Sequence, residues 1–546
     1  MSNIKVAIKN RGQKEYPVGV SLYEICEDLK INNEIVGAKI NNELNPLTTR
    51  LIKDTEIELI DYTDLAGYKM YQSGLKFIFE VALKELYPEL DVMYEHSVPR
   101  GVLAEVVGDR NITDKDLIKI KGIMFKIIDD DLLFETYNIS KKDAIKYYED
   151  KEEYEKAQNI KDSNDDVIIL YKLKGILNYY YTDMPYSTRA ISKFEMIYLG
   201  NNRLVFTMPS ARTGGKVPEY IHHKNIINSF LEGKNWLEKM EIPYLADLNR
   251  LISSSNISDI IESNELLFNS EISKCAETIV KNSEKKVILI AGPSSSGKTT
   301  TAKRLASYLK VRGLKPIMIS VDDYFVDREK TPKDENGNYD YECLLALNID
   351  KFNKDLNDLL SGKSIRLPKF DFVTGKSELS DKEIALSEKG IILIEGLHTL
   401  NDDLTPQINE MFKYKIYLSP FIPLNIDRHN YISTLDLRLL RRIIRDNRYR
   451  GMSVSDTIKI WQSVRNGEEK YIFPYIHQAD VIINTALVYE LGVVRVYAEP
   501  LLYSVEMDSP YYEEARRLIT FLQKFYMIPT EYIPKDSILR EFIGFI

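Results

Sequence analysis

At 546 residues the chain is too long for one hydrophobic core, and about 100 to 200 residues per domain predicts three or four units. Hydrophobic residues at 44% and charged residues at 28% exclude a fibrous or wholly disordered chain. A net charge of -9 argues against broad coating of nucleic acid, which needs a surplus of Lys and Arg on the binding face. The three cysteines, Cys26, Cys275 and Cys343, form no C-x-x-C pair, so a reducing, cytoplasmic setting is expected, without a disulfide framework or a zinc knuckle. The start, MSNIKVAIKNRGQKEYPV, lacks an apolar core of signal-peptide length, and no run of about 18 apolar residues follows, so no membrane association is expected.

In chain order, residues 1–62 alternate short β-like runs (Ile4 to Ile8, Ile35 to Ile40, Glu56 to Ile60) with one helical stretch, Leu22 to Leu29, which predicts a small β-rich domain. Tyr68 to Leu86 carries Leu75, Ile78, Phe79, Ala82, Leu83 and Leu86 at helical spacing and stops before Pro88. That helix opens a second domain, 65–220, with a charged helical stretch at Lys141 to Lys161 and β-like runs at Val167 to Tyr171 and Leu204 to Met208. Residues 221–282 read as a helical connector. From 283 to 546 strand-like runs at Val287 to Ala291, Pro316 to Val321, Gly390 to Ile394, Lys415 to Leu418 and Asp480 to Ile483 alternate with helices, which predicts an α/β domain on a parallel sheet.

Gly292-Pro293-Ser294-Ser295-Ser296-Gly297-Lys298-Thr299 fits G-x-x-x-x-G-K-[ST] in full, between the run VILIA and the helical run that begins TTAKRLASYLK. In that context the glycines let backbone amides curl around phosphate oxygens, with the helix N-terminus behind them. Lys298 would reach the β and γ phosphates of ATP, the Thr299 hydroxyl would hold Mg2+, and Thr300 continues the cradle. No N-K-x-D loop for guanine is present; Asn353-Lys354-Asp355-Leu356 lacks the final Asp. After the next strand-like run come Asp322 and Asp323, near where a γ phosphate would lie, with Asp322 the first candidate for the base and Asp323 the second. Six arginines (438, 441, 442, 445, 448 and 450) fall within thirteen residues, which reads either as a phosphate-closing lid or as a solvated basic helix face.

These residues resemble the uridine kinase and phosphoribulokinase family over about 285 to 500. The resemblance implies a P-loop NTPase kinase domain that uses ATP and Mg2+ to phosphorylate a small-molecule hydroxyl. Ile319-Ser320-Val321-Asp322-Asp323-Tyr324-Phe325 is similar to the family's S-x-D-[SD]-[FY]-[FY], which makes Asp322 the catalytic base. The string NYDYE at 338–342 looks like the ribose-contacting loop, which points to Asp340, although a plain turn role serves it equally. Ile391 to Gly396 is similar to the strand ending in Glu-Gly, so Glu395 would position Mg2+ beside Thr299, or would be a buried structural acid. Asp436 to Gly451 resembles the lid, implying phosphate clamping by Arg442, Arg445 and Arg450, with Arg445 closest to catalysis. Departures lie where pyrimidine is held: Phe370 stands at the family's Tyr, Gly375 at its His, and Met452 at a further lid arginine. Phosphoryl transfer is therefore expected, to the 5'-hydroxyl of a nucleoside or to another sugar or vitamin-like alcohol, with Phe370 beside the acceptor.

Residues 1–62 resemble the TGS domain, a β-grasp module, and 65 to about 215 look like the second, editing-type α+β domain of threonyl-tRNA synthetases. The editing motifs H-x-x-x-H and C-x-x-x-H are absent; the first aligns with Ser73 and Phe77, the second with Tyr180 to Met184. No zinc and no deacylation are expected. RNA, a protein, an amino acid or a second copy of the chain are the partners compatible with this half, and an RNA-linked regulatory ATPase is the rival to the kinase.

Overall fold

The computed structural model describes residues 3–31, 33–254, 256–333, 337, 339–371 and 374–544. Asn338, the first residue of the NYDYE string, and Phe372 and Val373 beside the acceptor segment lie outside the described residues.

The N-terminal unit is a five-stranded sheet in the order Gly12–Pro17, Asn3–Ile8, Thr55–Ile60, Gly37–Ile40, Glu43–Asn45. Asn3–Ile8 pairs in parallel with Thr55–Ile60, and its alternation turns Ile4, Val6 and Ile8 inward. Helix Leu22–Asp28 starts at a capping box in which Ser21 and Glu24 satisfy each other's backbone amides. This is the β-grasp arrangement expected of the segment.

In the second unit, helix Leu65–Leu86 is enclosed, with Phe77, Ile78 and Phe79 fully buried. An antiparallel sheet (Glu195–Gly200, Arg203–Thr207, Gly101–Val107, Asp91–Val98) and a three-stranded sheet built on Val167–Leu173 accompany it. The charged stretch Lys141 to Lys161 is two helices, Lys141–Asp150 and Tyr154–Asp162, separated where Glu152 adopts φ 60°. Left-handed backbone interrupts a helix, which periodicity alone does not reveal. Helices Lys224–Lys239, Leu245–Ser253 and Ile257–Lys281 follow; their apolar residues, among them Leu237, Leu248 and Ile272, pack into the same hydrophobic core as Ile288 and Leu393 of the C-terminal half, so the segment read as a connector is part of that half's core.

The C-terminal half is built on five parallel strands in the order Lys315–Ser320, Gly390–Gly396, Val287–Ala291, Lys413–Ser419, Val481–Asn484. Val287–Ala291 is central and buried at every residue, because helices cover both faces of a parallel sheet. Its neighbours depart on opposite sides, and the crevice at such a switch point, beyond the strands' C-terminal ends, is where α/β sheets place ligands. The strand read as Pro316 to Val321 ends at Ser320; Val321–Tyr324 is a 3-10 turn.

The halves are stitched together by the kinase-side segment 425–431, which lies in the second unit. Tyr94 N donates to Arg428 O at 2.9 Å, Lys76 Nζ donates to His429 O at 2.8 Å, and Arg428 pairs with Glu155 and Asp91.

Candidate active site

The turn after Val287–Ala291 can be made by few residues. A Cβ on Gly292 would lie 2.5 Å from Ser296 Oγ and 2.6 Å from the Leu418 carbonyl. Gly297 has φ +84°, and a Cβ there would meet Ile538 Cδ1 at 2.3 Å, so the C-terminal segment packs directly on the loop. Helix Lys298–Val311 begins at once. Lys298 Nζ donates to the carbonyls of Gly292 (2.9 Å) and Pro293 (3.2 Å), which folds the ammonium back over the turn.

A cavity of about 300 Å³ opens over this turn, and its wall brings Ser294 to Thr299 together with Asp322, Glu395, Arg445 and Arg450. Asp322 thus faces the same space as the glycine-lined turn, carried there by the 3-10 turn beyond its strand. Asp323 points elsewhere: its carboxylate accepts from Phe370 N at 3.5 Å, and burial raises its pKa. Glu395 Oε1 accepts from Thr299 Oγ1 (3.3 Å) and Ser320 Oγ (2.9 Å). Burial, then the nearby Asp322 charge, pushes the Glu395 carboxyl up to about 7. A buried acid paired only with hydroxyls gains from a cation, and Mg2+ needs few protein oxygens because it keeps several waters. Among the described residues no group of three or more His, Cys, Asp or Glu forms a metal cage, but the Thr299 and Glu395 donor set fits Mg2+ beside phosphate.

The arginine cluster is one helix, Thr434–Arg450, and most of it is buried, so it is not a solvated face. Its members divide by task. Arg438 donates to Ser294 O at 3.0 Å and forks onto Glu468; Arg441 donates to Ser295 O at 3.2 Å and pairs with Glu490. These two brace the carbonyls of the phosphate turn from behind. Arg448 donates to the carbonyl of Ile543 in the C-terminal segment. Arg442, Arg445 and Arg450 converge on the fully buried Asp446, at 3.0, 2.8 and 3.4 Å. Three guanidiniums thus gather at one carboxylate, and planar guanidiniums suit phosphate oxygens. Arg445 and Arg450 reach the cavity wall, whereas Arg442 lies behind it, donating to Ser294 Oγ at 2.8 Å.

Other expected site residues stand back from the cavity. Gly292 and Pro293 shape the turn and Thr300 lies in the first turn of the helix, and none of the three lines this cavity. Asp340 Oδ1 accepts from Glu342 N at 3.1 Å and its Oδ2 from Tyr471 Oη at 3.4 Å, the geometry of a turn-former that presents its neighbours Tyr341 and Glu342 to the cavity. Phe370 is buried edge-on to Phe325, with ring centroids 5.5 Å apart; Phe325 lines the cavity and Phe370 stands behind it. A Cβ at Gly375 would come within 2.9 Å of Arg328 Cβ, so Arg328 fills the room a larger residue would need.

Sequence reasoning missed Glu342 and Glu541. Burial raises Glu342 to about 7, and its position two residues after Asp340 was a usable signal. Glu541 Oε2 accepts from Thr300 Oγ1 at 2.6 Å and Thr300 N at 3.3 Å, a contact 241 residues apart in sequence that no local pattern announces.

A family model described as "Phosphoribulokinase / Uridine kinase family" matches residues 287–490. A uridine kinase from Staphylococcus aureus (strain JH9) is 30% identical over 198 residues, which cover 36% of this chain and 86% of that protein. The chain belongs to the phosphoribulokinase/uridine kinase family. The N-terminal region is similar to a threonine--tRNA ligase from Clostridium kluyveri (strain ATCC 8527), 29% identical over 174 residues, 32% of this chain. The match spans about a quarter of that ligase (27%). Among solved structures, one titled as a possible uridine kinase from Bacillus stearothermophilus is 22% identical, with a TM-score of 0.27, covering 39% of this chain and 98% of that one.

Proposed function

We propose that this family member transfers the γ phosphate of ATP to the 5'-hydroxyl of a nucleoside, in the cytoplasm. The observation that carries the reading is the placement of Asp322 on the wall of the same cavity as Ser294 to Thr299. The uridine kinase relative, matched over most of its length, supports a nucleoside as acceptor. Asp322 takes the acceptor proton as the new O–P bond forms and the bond to the β-phosphate oxygen breaks. Lys298, Arg445 and Arg450 stabilise charge on the transferring group and exclude water. Thr299 and Glu395 would hold Mg2+, which supplies charge neutralisation at the phosphates. Phe370 and Gly375 stand where the resembling family has hydrogen-bonding pyrimidine contacts, so discrimination among bases is proposed to be weak.

The test is ADP release with ATP, Mg2+ and a panel of nucleosides and sugar alcohols. Release that follows the nucleoside supports the reading. Release that responds only to tRNA would replace it with an RNA-linked ATPase in which the synthetase-like half is the reader.

A further inference from the structure

A second, larger cavity of about 450 Å³ lies between the synthetase-like unit and the kinase unit, and no step of phosphoryl transfer uses it. Its wall carries eight Lys and Arg against four Asp and Glu, in a chain that is acidic overall. Part of this charge is cancelled locally: Arg100 pairs with Glu469, while Lys69 and Arg517 share Asp436. Arg438 is likewise forked onto Glu468, whereas Arg465, Arg212 and Lys76 have no such dedicated carboxylate among the described residues. Arg465 is nine-tenths buried, makes no hydrogen bond among the described residues, and has Glu468 at 3.9 Å as its ion-pair contact, a carboxylate already held by both forks of Arg438. Arg212 stands close enough to Arg465 to repel it and has no ion pair among the described residues. Lys76, 5% exposed, sits among the rings of Tyr94, Tyr180 and Tyr431 and donates to a carbonyl rather than a carboxylate. A buried guanidinium without a dedicated counter-charge is costly, and an anion supplied from outside removes that cost. Tyr68, Tyr181, Tyr431 and Trp461 give the same cavity aromatic faces, and the hydrogen-bonded hydroxyls of Ser73 and Thr182, 2.5 Å apart, offer neutral polar contacts.

We propose that this cavity is a binding site for a phosphate-bearing small molecule of about mononucleotide size, with Arg465 and Arg212 taking the phosphate. Planar forks from two arginines match phosphate oxygens, and the volume exceeds what a bare anion needs. The bound molecule would border the phosphate turn itself, because Pro293 lines the cavity and Arg438, on the same wall, donates to Ser294 O.

The test is calorimetric titration of inorganic pyrophosphate and, separately, uridine 5'-monophosphate into the full-length K298A protein, whose ATP site is impaired. At least one probe is expected to bind, with affinity reduced roughly tenfold or more by R465M and by R212A, and partly restored in R465K relative to R465M. Without probe, R465M is expected to melt at or above the parent temperature, since it deletes an uncompensated buried charge, and the wall position of Arg212 makes R212A the second, independent variant. Absence of binding by both probes at millimolar concentration, or binding that neither R465M nor R212A changes, would overturn the proposal. Neither result bears on catalysis, because no turnover is measured.

Discussion

Glu541 holds the amide and hydroxyl of Thr300 at the start of the helix that follows the phosphate turn, and a helix N-terminus of this kind is where a nucleotide's phosphates bind. Were a phosphate of ATP to take these two donors, the Glu541 carboxylate would have to give way. Hydrogen bonds to a charged group contribute about 1.5–3 kcal/mol, and the 3.3 Å amide bond places this pair toward the lower end. Residual repulsion between the displaced carboxylate and a phosphate about 5 Å away, at an effective dielectric of about 20, adds up to about 3 kcal/mol before screening by salt. Substituting Glu541→Gln should then tighten ATP binding by about ten- to hundredfold, 1.4 kcal/mol being a factor of ten. Ile538 against Gly297 and Arg448 on the Ile543 carbonyl keep the tail in place in the variant. Titration with a fluorescent ATP analogue, without acceptor, measures the change. ATP affinity that is unchanged or weaker in E541Q would refute the reasoning.

Asp322→Asn should lower kcat by about 10²- to 10⁴-fold while the ATP Kd stays within about twofold, measured by coupled ADP release and titration; retention of kcat would remove Asp322 as the base. Gly292→Ala forces a methyl against the Leu418 carbonyl and should cost about 1–3 kcal/mol of stability in thermal melts, together with most ATP binding. His96 is fully buried, stacked on Phe230 at 4.6 Å, and burial pulls its pKa down to about 3. The unfolded chain binds a proton at this residue near pH 6.5 and the folded one near 3, so stability present above 6.5 is lost as pH falls between them, by at most about 5 kcal/mol. His96→Phe should flatten that acid limb in melts between about pH 7 and 4 and leave the neutral side nearly unchanged.

The parallel sheet and the phosphate turn were legible because their signals are local: an unbroken apolar run in VILIA, then glycines at fixed spacing before a helix. Asp322 was legible for the same reason, lying directly beyond a strand. The arginines were legible as a cluster but not in their tasks, because whether a guanidinium braces a carbonyl, as Arg441 does, or meets the cavity, as Arg450 does, depends on which side of one buried helix it occupies. That Phe370 stands behind Phe325 was not legible, because which of two aromatic residues forms a wall depends on packing between distant segments. Glu541 was invisible because its partner lies in another part of the chain.

The segment 425–431 places a kinase-side loop inside the synthetase-like unit, where Lys156 and Asn178 both contact His429 Nδ1 and Asn425 donates to the Tyr94 carbonyl. Two regions that resemble unrelated enzymes therefore complete one another's interior and cannot drift apart as modules on a tether. Cutting the chain at residue 283 would expose that loop and strip Lys156 of a neighbour, so measurements on either piece would describe a damaged surface. The two regions share one interior, in which a substitution near Tyr94 is answerable to residues more than three hundred positions downstream.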